Sequence, residues 1–285
     1  MEKIIKKAYA KINLGLDVIR KLPNGYHEVK MIMQTVDIYD TLTISKLESN
    51  IELSVGEAKL PLDENNLIYK AARLIFERAK VNCGAKILLE KRIPIAAGMA
   101  GGSADAAATL VGLNELYQFG FSIVELKEMA VKLGADVPYC IEGGTALSEG
   151  IGEILTPIPA PPESIVLIAK PEIEVSTQYV YENLKLKEDM VHPDINKIQK
   201  SIVEGDLEGI ADNLGNVLET VTIPRYPIIQ EIKNTMLDCE AMAALMSGSG
   251  PTVFGLFREE VQAKEAKERL EVKNLVKNAI ITGFK

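Results

Sequence analysis

Histidine is scarce in this 285-residue chain, which carries only His27 and His192. A histidine-rich metal centre is thereby excluded, and a Ser-His-Asp hydrolase would have to use one of the two. Neither stands in a G-x-S-x-G elbow. The nearest approach, Gly248-Ser249-Gly250, runs into Pro251, where an elbow requires a strand-to-helix turn. Cysteine is scarce as well: Cys83, Cys140 and Cys239 are odd in number, far apart and without C-x-x-C spacing. That argues against a disulfide framework and a zinc site, and fits a reducing cytoplasm. Long apolar runs are missing too. No stretch of spanning length lacks charge or proline, and the opening MEKIIKKAYAKINLGLDVI is broken by charge too often for a signal-peptide core. The expectation is a soluble, cytoplasmic chain. Positive charge is not in excess, with 32 Lys and Arg against 40 Asp and Glu and a net charge of -8. Broad binding to nucleic acid or a membrane surface is therefore not expected, and any anionic ligand must be held locally.

What is present begins with length. At about twice the usual domain size, and with 47% hydrophobic residues, the chain has material for two cores. The segment Thr156-Pro157-Ile158-Pro159-Ala160-Pro161-Pro162 concentrates four of the 13 prolines and is the expected boundary, giving domains 1–156 and 157–285.

In the first half, Ala10, Ile12, Leu14, Leu16 and Val18 alternate with Tyr9, Lys11, Asn13 and Asp17, which predicts a strand over 8–18. Pro23-Asn24-Gly25 predicts a turn, followed by extended segments at 29–37, 41–46 and 51–55. Helical spacing after Asn66 predicts a helix over 67–79, with a strand at 85–90 and a second helix over 103–117. Ser122 and Glu125 form a capping-box pattern before a helix expected to stop at Gly134 in left-handed conformation, with Asp136 beyond it in a turn shaped by Pro138. In the second half the pattern is strand 164–169, several helices between 177 and 236, strands 243–246 and 252–257, helix 259–270 and strand 278–283. This is an α+β sandwich of ferredoxin-like order.

The most informative stretch is residues 94–108, PIAAGMAGGSADAAA. Glycines 98, 101 and 102 open onto Ser103 and a run of small helix formers, where unpaired N–H groups and the positive end of a helix dipole suit a phosphate. No Gly-Lys-Ser/Thr follows, so it is not a P-loop, and no G-x-G-x-x-G can be placed on it. The alternative on these residues alone is that glycine and alanine merely let a helix pack closely. Taken singly, Lys11 also reads as a solvated strand lysine, and Asp136 as ordinary turn chemistry.

The segments AYAKINLGL, NGYHE, NNLIYKAA, PIAAGMAGGSADAA, LGADVPY and MSGSGPTVF together resemble the GHMP small-molecule kinases, in order and over almost the whole chain. The resemblance implies an N-terminal ribosomal-protein-like α/β domain and a C-terminal ferredoxin-like α+β domain. It also implies ATP as phosphoryl donor, with Mg²⁺ carried mainly on its phosphates and no dedicated protein metal site. AKINLGL, NGYHE and LGADVP in combination resemble the branch that phosphorylates the 2-hydroxyl of a cytidylyl sugar alcohol derived from methylerythritol.

By that resemblance Asp136 accepts the hydroxyl proton and Lys11 orients the hydroxyl. Gly98, Gly101, Gly102, Ser103 and Ala104, after Pro94, hold the triphosphate, and Asn66 and Lys91 neighbour the adenosine. Tyr26 and Tyr181 face cytosine, His27 bonds its edge, and Asn13 and Thr177 line the alcohol's side. For Asn66 and Lys91, a helix N-cap and a strand-end charge are equally open readings, and a tight turn is open for Ser247-Gly248-Ser249-Gly250-Pro251. Ala96, Ala97 and Ala100 stand where relatives often have glycine, which a methyl group permits where φ stays negative. The chain is expected to be a monomer or weak homodimer. Rival readings are another activity of the same superfamily, such as mevalonate, homoserine or galactose phosphorylation, and a non-catalytic RNA-binding protein. An acidic pI of about 5.1 disfavours the last.

Overall fold

The computed structural model describes residues 2–56, 59–187 and 189–285. They pack as two compact units, neither continuous along the chain. The described residues within 1–10, 38–95 and 100–143 make the first, and those within 11–37, 96–99 and 144–285 the second. The alternation seen from residue 8 extends both ways into β1 (Lys3–Lys21), and the two segments expected at 29–37 and 41–46 are one strand, β2 (His27–Leu47). Nothing between Ile38 and Asp40 forces a break. Gly25, at φ +87°, makes the turn between these strands, where the Leu22 N–H donates to the Tyr26 carbonyl at 2.8 Å.

The first unit adds β3 (Ile51–Val55), α1 (Leu67–Ala79), β4 (Gly84–Glu90), α2 (Gly101–Tyr117), α3 (Ile123–Val131) and α4 (Val137–Glu142). Its strand order is β3-β4-β2-β1, with β4 antiparallel to β2 from Thr41↔Glu90 to Leu47↔Gly84 and parallel to β3. In α1 the buried residues are Ile68, Ala71, Ala72, Ile75 and Phe76, the stripe expected of a helix with one face inward. Fully burying a side chain the size of Ile or Phe is worth about 1.5–3 kcal/mol, so this stripe is what fastens α1. In α2 the small residues Ala104, Ala106, Ala107 and Gly112 are buried, and a Cβ at Gly112 would strike Ile44 and Lys6. Smallness here brings the helix close to its sheet.

The Ser122–Glu125 capping box forms as read, but α3 ends at Val131, and its last turn leaves through Lys132 in right-handed conformation instead of a left-handed Gly134. Pro138 does not shape an open turn either. It occupies the first turn of α4, where a missing N–H costs no helical hydrogen bond.

The second unit contains β5 (Thr145–Glu149), β6 (Ile154–Ile158), β7 (Ile165–Ala169), α5 (Thr177–Asn183), α6 (Ile195–Glu204), α7 (Leu207–Asn213), β8 (Gly215–Asn216), α8 (Glu219–Arg225), α9 (Ile228–Leu237), β9 (Ala243–Met246), β10 (Val253–Phe257), α10 (Glu260–Val272) and β11 (Ala279–Gly283). Here the order is β6-β5-β2-β1-β8, beside a separate antiparallel sheet β11-β7-β10-β9. The chain order β7, helices, β9, β10, α10, β11 is the ferredoxin-like βαββαβ pattern, so the α+β reading holds. Strands β5 and β6 were not anticipated. Pro157 sits within β6, which among the described residues pairs with β5 alone, and an edge strand tolerates a residue without a donor. The proline-rich segment therefore begins inside the second unit.

Candidate active site

In the first unit, α2 begins at Gly101, two residues earlier than expected. Ala100 precedes it at φ +56°, with no side-chain cap and no acidic residue in the first turn. The Ala104 N–H is bonded to the Ala100 carbonyl at 2.8 Å, so the N–H groups of Gly101, Gly102 and Ser103 come before the helical ladder starts. They are donors at the positive end of a 17-residue helix. The two glycines differ. A Cβ on Gly101 would press at 3.0 Å on Lys91 Nζ and on Ile93 Cγ2, whereas one on Gly102 would meet only Leu67 Cδ1 at 3.6 Å, an ordinary contact. Close packing accounts for Gly101 and leaves Gly102 without a packing reason. Ala104 is buried, and Pro94 and Ser103 are half-buried.

Lys91 is half-buried, its side chain 8% exposed, and is ion-paired with Asp40 and, at 2.9 Å, with Asp105. Asp40 Oδ1 also accepts the N–H groups of Arg92 at 2.5 Å and Ile93 at 2.8 Å. The cluster ties the chain entering the glycine run to the second turn of α2. Burial pushes the Asp105 carboxyl up to about 7, with the Lys91 charge pulling it down and the Asp40 charge pushing it up. Its Oδ1 is buried without a hydrogen-bond partner. Asn66 caps α1: its Oδ1 accepts the Ile68 N–H at 2.9 Å, and its Nδ2 donates to the Pro61 carbonyl at 2.8 Å. Both ends of the carboxamide are thus used within the protein. Asp136 stands half-buried immediately before α4, its side chain not capping that helix and its carbonyl accepting the Cys140 N–H at 3.1 Å.

In the second unit, the face of β1 read as polar and solvated is buried. Gly15 lies under Ile195 and Ile198 of α6, and Asp17 shares a 2.6 Å hydrogen bond with His192. Lys11, on the same face, is only 4% exposed, and its Nζ donates to Asn13 Oδ1 at 2.7 Å. Asn13 in turn donates to Met31 Sδ at 3.2 Å. The Lys11 backbone N–H bonds to the Met99 carbonyl at 3.1 Å, which fastens residues 96–99 beside β1. A lysine kept this far from water needs a polar neighbourhood, so the solvated-lysine reading falls. Ala96 and Ala100 are also corrected. Their φ values are +50° and +56°, not negative, so both alanines bear a conformation that favours glycine, at a cost of about 1–2 kcal/mol each.

His27 and Tyr181 come together, ring centroids 5.2 Å apart and planes inclined by 37°. Burial, then the Lys21 charge, lowers the His27 pKa from 6.5, which favours the neutral ring. Tyr26 stands 60% exposed on the turn beside it. Thr177 opens α5, and its hydroxyl lies 2.8 Å from that of Ser249 in the Ser247–Pro251 turn. From the same turn the Ser247 hydroxyl donates to the Gly98 carbonyl at 3.0 Å, and a Cβ on Gly98, at φ +69°, would overlap the Ser247 carbonyl oxygen. Sequence reading misses Asp40 and gives Asp105, noted only as following Ala104 after Ser103, no role. Asp40 leaves a trace, a charge inside the β run DIYDTLTI, and Asp105 another, the one charge in the small-residue stretch 94–108. Among the described residues, no three His, Cys, Asp or Glu stand together as a metal site, and no helix is long and apolar enough to cross a membrane.

Residues 66–144 match the GHMP kinases N terminal domain, and residues 198–276 match GHMP kinases C terminal. A 4-diphosphocytidyl-2-C-methyl-D-erythritol kinase of Lachnoclostridium phytofermentans is 52% identical over 285 residues, covering 100% of this chain and 98% of its own. The enzyme of that name from Caldicellulosiruptor bescii is 48% identical over 97% of this chain and 96% of its own. The crystal structure of a 4-(cytidine 5'-diphospho)-2C-methyl-D-erythritol kinase superposes with a TM-score of 0.84 at 31% identity, over 99% of both chains. A likeness this high and unbroken from end to end makes the chain a kinase of the GHMP superfamily, belonging to the 4-diphosphocytidyl-2-C-methyl-D-erythritol kinase family.

Proposed function

We propose that this kinase transfers the γ-phosphoryl group of ATP to the 2-hydroxyl of 4-diphosphocytidyl-2-C-methyl-D-erythritol, in the methylerythritol phosphate route to isoprenoid precursors. The observation that carries the reading is the uncapped start of α2, where Gly101, Gly102 and Ser103 offer N–H groups and Gly102 is small for no packing reason. Those donors hold the phosphates, and Gly98, fixed by Ser247, sets the loop's path. Mg²⁺ would be carried mainly on the ATP phosphates and would supply charge to offset theirs, with Ser103 the hydroxyl-bearing residue of the loop that would help hold it. Transfer is direct and in line. Asp136 takes the hydroxyl proton late, when bonding to phosphorus has made it acidic, so an ordinary carboxylate suffices. Lys11, held by Asn13, orients the alcohol and steadies the developing charge. His27 and Tyr181 take the cytosine, by an edge bond and a ring face, with Tyr26 on the exposed side. Asn13 and Thr177 line the sugar alcohol, and Pro94, Ala104, Asn66 and Lys91 shape the nucleotide end. The two family segments fall on either side of residue 156, which supports 1–156 and 157–285 as the family's two domains. We place the enzyme in the cytoplasm as a monomer or weak homodimer acting on small molecules, not on nucleic acid or membranes.

ADP release measured across the cytidylyl alcohol, mevalonate and homoserine tests the substrate; turnover of either of the last two in preference to the first sinks the assignment. Asp136→Asn and Lys11→Ala should each fold and bind ATP but turn over at least ~100-fold more slowly. Near-normal kcat in both removes the two from the mechanism.

A further inference from the structure

The Ser247–Pro251 turn is held from behind by a residue outside every motif. Asn216 in β8 is 7% exposed, and its carboxamide is fully used. Nδ2 donates to the Met246 carbonyl and the Gly248 carbonyl, both at 2.8 Å, and Oδ1 accepts the Leu218 N–H at 3.0 Å. A primary amide has two donor hydrogens, and here one goes to the strand before the turn and one to the turn itself. Behind it, β8 pairs with β1 at Leu16↔Asn216, the same strand that carries Lys11 and Asn13. A second tether comes from Thr222, whose hydroxyl donates to the Ser249 carbonyl at 3.3 Å. Two side chains of the turn reach beyond it: Ser247 Oγ bonds to the Gly98 carbonyl, and Ser249 Oγ lies against Thr177 Oγ1.

We infer that Asn216 is a positioning residue for phosphoryl transfer, fixing the Ser247–Pro251 turn so that Ser247 sets Gly98 and Ser249 sets Thr177. The inference rests on the reading of residues 98–103 as the phosphate loop. A hydrogen-bonded hub of this kind acts at a distance because its partners are backbone carbonyls. Without the two donors, Met246 and Gly248 lose a shared anchor, and the turn with φ +57° at Gly248 and +87° at Gly250 has no equivalent replacement.

The test compares Asn216→Asp, Asn216→Ala and Ser247→Ala with the parent enzyme, reading KM for ATP, KM for the alcohol, kcat, and Tm. Asn216→Asp keeps the shape and the acceptor for Leu218 but presents oxygen to two carbonyls, and should raise KM for ATP by about tenfold or more. Ser247→Ala should raise it by about three- to tenfold, and the double variant should fall well short of the product, because both act through one turn. A lowered Tm with both KM values unchanged would mark Asn216 as merely structural and overturn the inference, as would fully multiplicative effects. Should the Asn216 variants not fold, Ser247→Ala decides alone, and an unchanged KM for ATP overturns the proposal. A parent enzyme that binds no ATP in a titration would sink the kinase reading instead, a result distinct from either.

Discussion

Two glycine-rich segments of this chain look alike on paper and differ in what they do with their backbone. In the Ser247–Pro251 turn four backbone groups are bonded inside the protein: Ser247 N–H to the Thr252 carbonyl, Gly250 N–H to the Ser247 carbonyl, and the Gly248 and Ser249 carbonyls to Asn216 and Thr222. At the start of α2 the glycine and serine N–H groups precede the helical ladder, with no side-chain cap. The first segment is a buttress and the second is a cradle. They are also backed differently, by a neutral carboxamide in one case and by the charged Asp40–Lys91–Asp105 cluster in the other. Glycine content alone does not separate the two; the side chains that tether the carbonyls of the first, and the uncapped helix start of the second, do.

The sharpest way to break the comparison is Gly98→Ala, at the point where the buttress meets residues 96–99. The added methyl would overlap the Ser247 carbonyl and sit at φ +69°, so a loss of about 3 kcal/mol or more, with activity falling at least ~100-fold, is expected from denaturant melts and kcat/KM. A variant as stable and active as the parent would mean that the turn does not press on the loop.

Next in size is the charged backing. The Asp105 carboxyl, raised to about 7 by burial, keeps its proton in the folded state where the unfolded chain, at an ordinary 3.8, has released it. Stability should therefore fall as pH rises from about 4 to 7 and level off above, by up to a few kcal/mol. Asp105→Asn should flatten that slope, whereas Asn216 variants should leave it in place; parallel melts of parent and Asp105→Asn at pH 5 and pH 8 would refute the difference. The smallest structural effect belongs to Gly102→Ala. Its methyl has room, and alanine favours a helix, so stability should hold or gain about 0.5–1 kcal/mol. KM for ATP should nonetheless rise, because a phosphate and a methyl group compete for one place. An unchanged KM would return Gly102 to ordinary helix packing.

Local chemistry was legible in the sequence. Asn66 and the spacing after it placed both ends of α1, and Ser122 with Glu125 announced α3, because caps and periodicity act within one or two turns. The beginning of α2 was misplaced by two residues, since Ala100 caps it by conformation and not by a side chain. The burial of Lys11 was illegible for a different reason: what covers its face of β1 comes from Met99, Ile195, Ile198 and His192, far along the chain. The ion pairs of Lys91, 51 residues from Asp40, and the reach of Asn216 to Gly248, 32 residues on, are likewise products of the fold that no local pattern encodes. The candidate ligands were thus readable by motif, and the groups that hold them were not.

The interleaving of the two units along the chain carries a consequence for biosynthesis. Residues 11–37 are made early, yet the body they belong to is completed only by residues 144–285. Ile12, Leu14, Leu16 and Ile32, all buried in the folded protein, thus belong to a body most of which is translated more than a hundred positions later. A single cut at residue 156 should therefore not release two self-sufficient halves, since residues 11–37 and 144–285 share one body. An amino-terminal fragment should emerge as a sticky, chaperone-dependent species that recovers only when its missing portion is supplied in trans.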